Sequence, residues 1–296
     1  MIPFTKMHGL GNDYVYLDAF ETPSLADRPD LADCARRMSD RHLGVGSDGL
    51  ILVAPPADAE ASDELPPDAR MIMFNADGSV GAMCGNGLRC VAALVVRRGH
   101  GAPRDGVVRI ATASGVRDAR VRLVTNHGAQ VAVDMGEPSL EPASIPADVA
   151  LLKPEGVTGD APQWSAGELT GVLVSMGNPH FVSFAAQLPD EAFMERVGPA
   201  IERRPAFAER INVHVVSVLD RRSATMATWE RGAGRTMACG SGACAALVAG
   251  VLTHRLERAA TIRLPAGELS IEWSEETNRV EMTGPAVEVF RGEWPG

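Results

Sequence analysis

Two short segments hold the residues best suited to chemistry, Met83-Cys84-Gly85-Asn86-Gly87 and Ala238-Cys239-Gly240-Ser241-Gly242. Each is a cysteine, a glycine, a small polar residue and another glycine, followed by an almost wholly apolar run, Leu88–Val96 in the first and Ala243–Leu252 in the second. Such a run reads as a helix. A cysteine at a helix start lies where unpaired amides and the helix dipole favour negative charge, so its thiol yields a proton more readily there. The glycines beside it leave backbone amides uncovered for an anion. Two thiols facing one carbon can remove a proton from one side and return one to the other, which inverts a stereocentre. A carboxylate held by those amides would acidify the neighbouring carbon, because charge developing on its oxygens is stabilised more than the ground state is. One such motif alone reads better as a turn; its repetition is what marks Cys84 and Cys239 as catalytic.

The competing use of cysteine is metal. Cys84-x5-Cys90 and Cys239-x4-Cys244 lack the tight knuckle spacing of structural zinc sites, and the second member of each pair falls inside an apolar helix. Cys90 and Cys244 are read as packing residues and no metal is expected. Other polar residues sit where strands and turns meet: Asn12, Asn75, Asn178, His180, Asn212, Glu230 and Arg231. Singly, each Asn is a turn residue. Together they offer neutral amides and one guanidinium, which suits a second carboxylate and an amine better than a phosphate. The chain has no P-loop and no dinucleotide fingerprint, and its lysines lie in no recognisable pyridoxal-phosphate context. A cofactor-free mechanism on a small-molecule amino-acid substrate is the expectation.

These residues need a frame. Runs of β-branched or alternating character at 14–19, 49–54, 70–74, 107–113, 116–124, 130–135, 171–176, 180–184, 212–219, 225–230, 261–264, 268–273 and 279–283 read as strands. Asp30 is placed to cap a helix whose apolar stripe is Leu31, Cys34, Ala35 and Met38, and a further helix is expected over 191–202. The Pro-, Ala- and acid-rich stretch 54–69 reads as an exposed loop. Both helices after the cysteines are apolar nearly all the way round, apart from Arg89, so each must be enclosed. With so many strands nearby, the container is a curved sheet. The expected fold is α+β, two pseudo-symmetric domains, each a curved mixed or antiparallel sheet around a central helix.

A length of 296 residues suggests about two domains, one per motif. The interruption Thr125-Asn126-His127-Gly128 marks the expected boundary, giving 1–128 and 129–279. A net charge of −10 and 5% aromatic residues argue against nucleic acid and against a membrane surface. Five cysteines, an odd number with none in CxxC spacing, fit a reducing compartment, and the amino-terminal residues carry no apolar core of signal-peptide length. A cytoplasmic location is expected, and the sequence leaves a homodimer open.

The chain resembles the diaminopimelate epimerases in Lys6–Asp13, Phe74–Gly78, Cys84–Arg89, Ser175–His180, Glu230–Gly234 and Ala238–Cys244. The resemblance implies interconversion of LL- and meso-diaminopimelate without pyridoxal phosphate, a step of lysine and peptidoglycan-precursor synthesis. It implies that His180 and Glu230 set the protonation states of the thiols. Gly85, Asn86, Gly240 and Ser241 would hold the reacting carboxylate; Asn12, Asn75, Asn178, Asn212, Glu230 and Arg231 would contact the substrate. It also implies that 280–296 returns to the first domain. Two positions depart from some relatives: Gly49, where a domain-bridging Gln would stand, and Arg235, whose charge is expected to favour a thiolate at Cys239. Alternatives are a proline or hydroxyproline epimerase of similar fold and, from another class, a thiol redox or metal-binding module.

Overall fold

The computed structural model describes residues 1–57, 65–81 and 84–296. Met83 and the central part of the expected loop, 58–64, lie outside the described residues. The chain divides into two compact units, residues 1–134 with 283–296, and residues 135–282.

In the first unit the strands are β1 (Ile2–Gly9), β2 (Asn12–Asp18), β3 (Gly49–Ala54), β4 (Ala69–Asn75), the short β5 (Val80–Gly81), β6 (Val107–Thr112), β7 (Gly115–Thr125) and β8 (Gly128–Asp134). Two helices accompany them, α1 (Leu31–Ser39) and α2 (Gly85–Arg98). Pairing runs β1–β2–β3–β4–β6–β7–β8, with β2–β3 and β4–β6 parallel and the rest antiparallel. The last strand of the chain, Val280–Trp294, pairs antiparallel with β1 and also with β8, which closes the sheet into a barrel. Helix α2 runs inside, packed on β1, β2, β4, β6, β7 and β8. Its one interior charge, Arg89, is fully buried, held by the Asn86 carbonyl at 2.8 Å and the Pro285 carbonyl at 3.2 Å. Helix α1 lies outside. Its Leu31, Cys34, Ala35 and Met38 meet Val15, Leu17, Leu50 and Leu52, so β3 is buried along its whole length, as a strand covered on both faces must be. Cys34 is therefore a core residue. Asp30 stands at the cap position without capping; its carboxylate is taken by Arg28 at 2.9 Å and 2.5 Å.

The second unit repeats the plan with β9 (Lys153–Thr158), β10 (Ala161–Ala166), β11 (Leu169–Ser175), β12 (Pro179–Phe184), β13 (Asn212–Asp220), β14 (Ser223–Glu230), β15 (Gly234–Arg235), β16 (Ala259–Leu264) and β17 (Gly267–Trp273). Helices α3 (Glu191–Glu202) and α4 (Gly240–Leu252) stand where α1 and α2 do. The parallel pairs β12–β13 and β14–β16 enclose α3 and α4 in sequence as β2–β3 and β4–β6 enclose α1 and α2. Helix α4 packs on β11, β12, β13, β14, β16 and β17 and is buried on nearly every side, while Val197 and Ile201 of α3 join an outer core with Phe181 and Val213.

Three details differ from the sequence reading. Thr125–Gly128 is the tight turn of the β7–β8 hairpin, with Thr125 opposite Gly128, and the chain leaves the first unit only after Asp134. Strands β1, β5, β9, β10 and β15 lie outside the expected runs, and the run expected at 279–283 opens the strand Val280–Trp294, here β18. Gly49 has no room for any side chain, since a Cβ there would meet the Phe74 carbonyl oxygen at 2.2 Å; a Gln at this position has no counterpart here.

Candidate active site

In the first unit the thiol is the N-cap of α2. Cys84 takes an extended conformation, and its sulfur accepts from the Gly87 amide at 3.5 Å. The thiol in turn donates to Asn12 Oδ1 at 3.2 Å, and the same oxygen accepts from Asn86 Nδ2 at 3.3 Å. Neither amide is free to turn. Asn86 Oδ1 accepts from the Arg89 guanidinium, and Asn12 Nδ2 donates to Asp48 Oδ2 at 2.7 Å, so acceptor oxygen faces sulfur at one and amino group faces Asn12 at the other. Arg41 holds Asp48 and Asp13 at 2.8 Å each, and Lys6 pairs with Asp13. Asn75 lies at the same end of the sheet, opposite Gly49 and hence beyond Tyr14, with its amide turned to Ser79 Oγ at 2.9 Å.

In the second unit Cys239 is the N-cap of α4 and is buried. Ser241 Oγ lies 3.8 Å from its sulfur, and Asn178 Nδ2 donates to that hydroxyl at 3.3 Å. Glu230 reaches the thiol from the end of β14 and accepts from Thr236 Oγ1 at 2.5 Å. Asn212 sits beside His180 in the β12–β13 register, but both ends of its amide serve backbone, the Pro179 carbonyl at 2.8 Å and the Arg231 amide at 2.9 Å. It anchors the turns that carry Asn178 and Arg231. The Arg231 side chain is exposed, with one nitrogen on the Glu209 carbonyl at 3.0 Å.

Burial dominates the electrostatics. It pushes the Cys84 thiol above its ordinary range, against the pull of the Gly87 and Asn86 amides, the Tyr14 hydroxyl and the Arg89 charge. It pushes Cys239 further up, helped by the Glu230 carboxylate and opposed by the Gly242 amide and the Ser241 hydroxyl. The helix amides act in the direction read from the sequence, but in the ligand-free chain desolvation outweighs them. Arg235, whose charge is expected to act on Cys239, pairs with Glu191 at 2.6 Å. Burial holds His180 well below the usual imidazole range, helped by the neighbouring His214 and Arg231.

Tyr14, Asp48, Arg41, His214, Thr228 and Thr236 were not singled out from the sequence. A signal existed for His214 alone, a polar residue in the apolar run Val213–Val216. Among the described residues one group of His and carboxylates lies close enough to share a cation, Asp18, Glu21 and His100, and the Arg98 guanidinium already fills it, 2.6 Å from Asp18 and 3.2 Å from Glu21. No helix among them is long and apolar enough to cross a membrane.

Comparison with known proteins agrees with this frame. A family model described as diaminopimelate epimerase matches residues 4–141 and 172–289. The chain is 47% identical to a diaminopimelate epimerase of Desulforudis audaxviator, covering 98% of both chains, and 45% identical to that of Acetivibrio thermocellus, covering 98% of this chain and 97% of the other. Among solved structures, a hydroxyproline epimerase of Agrobacterium vitis shares the fold with a TM-score of 0.61 at 15% identity, over 98% of this chain and 90% of that one. Two thiols, each at the N-cap position of the inner helix of its own barrel-like unit, and this similarity along nearly the whole chain lead to one assignment: the chain belongs to the diaminopimelate epimerase family.

Proposed function

We propose that the chain interconverts LL- and meso-diaminopimelate by a two-thiol mechanism without a cofactor, in lysine and peptidoglycan-precursor synthesis. Cys84 stands on one face of the α-carbon and Cys239 on the other. One sulfur, as thiolate, takes the α-proton while the other, as thiol, delivers one; the reverse reaction exchanges the roles. Gly85, Asn86, Gly240 and Ser241 hold the α-carboxylate at the two helix starts, where the helix dipoles stabilise the enolate-like charge as it develops. Arg231, Asn12, Asn75 and Asn178 meet the distal end of the substrate, with Asn212 fixing the turns behind them. Glu230 and His180 bias which thiol is protonated. The site is one for a small amino acid in a cytoplasmic protein, with no nucleic-acid partner.

The observation that carries this reading is the repeat: each unit begins its inner helix with a thiol at the N-cap, and each thiol touches a small group of oriented polar side chains. In heavy water the intact chain should wash deuterium into the α-position of LL-diaminopimelate, and Cys84→Ala and Cys239→Ala should each reduce turnover by about 10³-fold or more, as loss of one of two acid–base groups does. Undiminished exchange in either variant overturns the two-thiol mechanism. Exchange of proline or hydroxyproline in place of diaminopimelate moves the substrate assignment.

A further inference from the structure

His214 lies in the middle of β13 with 0% of its surface exposed, which is costly for an imidazole unless both nitrogens are bonded. Both are. Its Nδ1 is 3.1 Å from Thr228 Oγ1 and its Nε2 is 2.9 Å from His180 Nδ1. His180 Nε2 lies 2.9 Å from Asn178 Oδ1, Asn178 Nδ2 lies 3.3 Å from Ser241 Oγ, and Ser241 Oγ lies 3.8 Å from Cys239 Sγ. With Asn178 Oδ1 accepting, one arrangement of protons satisfies the whole chain. His180 carries its proton on Nε2, so its Nδ1 accepts; His214 then donates through Nε2, and its Nδ1 accepts from the Thr228 hydroxyl. Asn178 donates to Ser241, whose own proton is left for the sulfur. Every donor in the series points toward Cys239.

We infer that Thr228, His214, His180, Asn178 and Ser241 form a directed hydrogen-bond relay that stabilises the thiolate of Cys239, with His214 as its positioning residue. Such a chain delivers stabilisation without charge, because each bond polarises the next in a low-dielectric interior. That matters here, since the neighbouring side chains supply little positive charge: the Glu230 carboxylate from β14 opposes ionisation, burial keeps His180 of β12 and His214 of β13 neutral, Arg231 acts on His180, and besides this chain it is the Gly242 amide that favours the thiolate. The first turn of α4 is shaped for the ring, since a Cβ on Gly242 would lie 2.3 Å from His214 Cε1. Without a donor at His180 Nδ1, the proton can move to that nitrogen. Asn178 then turns over, and Ser241 donates to Asn178 instead of to the sulfur. The inference rests on Cys239 exchanging a proton with substrate.

The test is the pH dependence of Cys239 alkylation by iodoacetamide, read by peptide mass spectrometry on the full chain, beside kcat and KM for α-proton exchange. His214→Leu should raise the alkylation midpoint by about one pH unit, equivalent to about tenfold less thiolate, and lower kcat about tenfold with KM little changed. His214→Gln, which keeps a donor toward His180, should recover most of both. Thr228→Val keeps the shape of the chain's far end and should shift the midpoint in the same direction by less; it carries the test if His214→Leu does not fold. An unshifted midpoint in a folded variant, or nitrogen-15 spectra placing the His180 proton on Nδ1, overturns the relay. A shifted midpoint in a chain that exchanges no diaminopimelate proton upholds the relay and overturns the functional reading instead.

Discussion

A carboxamide has one end that donates and one that accepts, so its value near a sulfur depends on which way it is held. Around Cys84 that orientation is imposed by charged groups, Asp48 on Asn12 and Arg89 on Asn86. Around Cys239 it is imposed by a neutral pair of imidazoles. The two thiols are thus poised by different means, and the second leaves a mark on stability. His214 titrates at about 3 in the folded chain against 6.5 for an exposed imidazole, because burial penalises its cation. Between those values the unfolded chain binds a proton that the folded chain does not, so this contribution is fully present above about pH 6.5 and is lost as pH falls below it, at about 1.4 kcal/mol per pH unit. His180, also lowered by burial, acts with the same sign. Urea midpoints measured from pH 7 to pH 4 should fall with acid, and His214→Gln should flatten that slope; an unchanged slope would remove the imidazole from the account.

At the scale of elements, what the sequence revealed follows from periodicity. Strand β3 and helix α1 are found where expected because an unbroken apolar run and the i, i+3, i+4, i+7 stripe Leu31, Cys34, Ala35 and Met38 leave few alternatives. The exposed β9 escaped notice for the opposite reason: all of its residues face solvent, and polar strands carry no alternation to read. The cysteines were legible because a helix start advertises itself in glycine and small polar residues; Tyr14, Asp48 and Thr228 were not, because each reaches its thiol through the fold and not along the chain. The outer helices have a structural task separable from chemistry. Met38 of α1 is fully buried among Val15, Leu17 and Leu50, so Met38→Ala should cost about 2–5 kcal/mol of stability. Proton exchange by the folded variant, measured at low temperature, should stay within about threefold of the parent, well short of the loss expected when a reacting group goes.

At the scale of the whole molecule, the two units differ in how the chain builds them. The second is continuous, 135–282, whereas the first needs both 1–134 and 283–296. The final strand pairs with β1 from Ile2 opposite Trp294 to His8 opposite Val287, and it also meets β8. A chain ending at residue 282 would therefore leave β1 and β8 as open sheet edges, ready to pair with other molecules. Size-exclusion chromatography should find that shortened chain in aggregates, and hydrogen exchange should find α2 unprotected while α4 keeps its protection. A monomeric, fully protected shortened chain would show the closing strand to be dispensable.

The same seam sets an order of events at the ribosome. The unit translated first cannot be completed until residues 283–296 leave the exit tunnel, while the unit translated second has all its strands sooner. At about 5–20 residues per second, the earlier half waits on the order of ten seconds with its inner helix uncovered on one side. Nascent chains of this protein thus spend their most vulnerable interval with the older half unfinished, and that half, not the younger one, is the one that needs shielding from other chains.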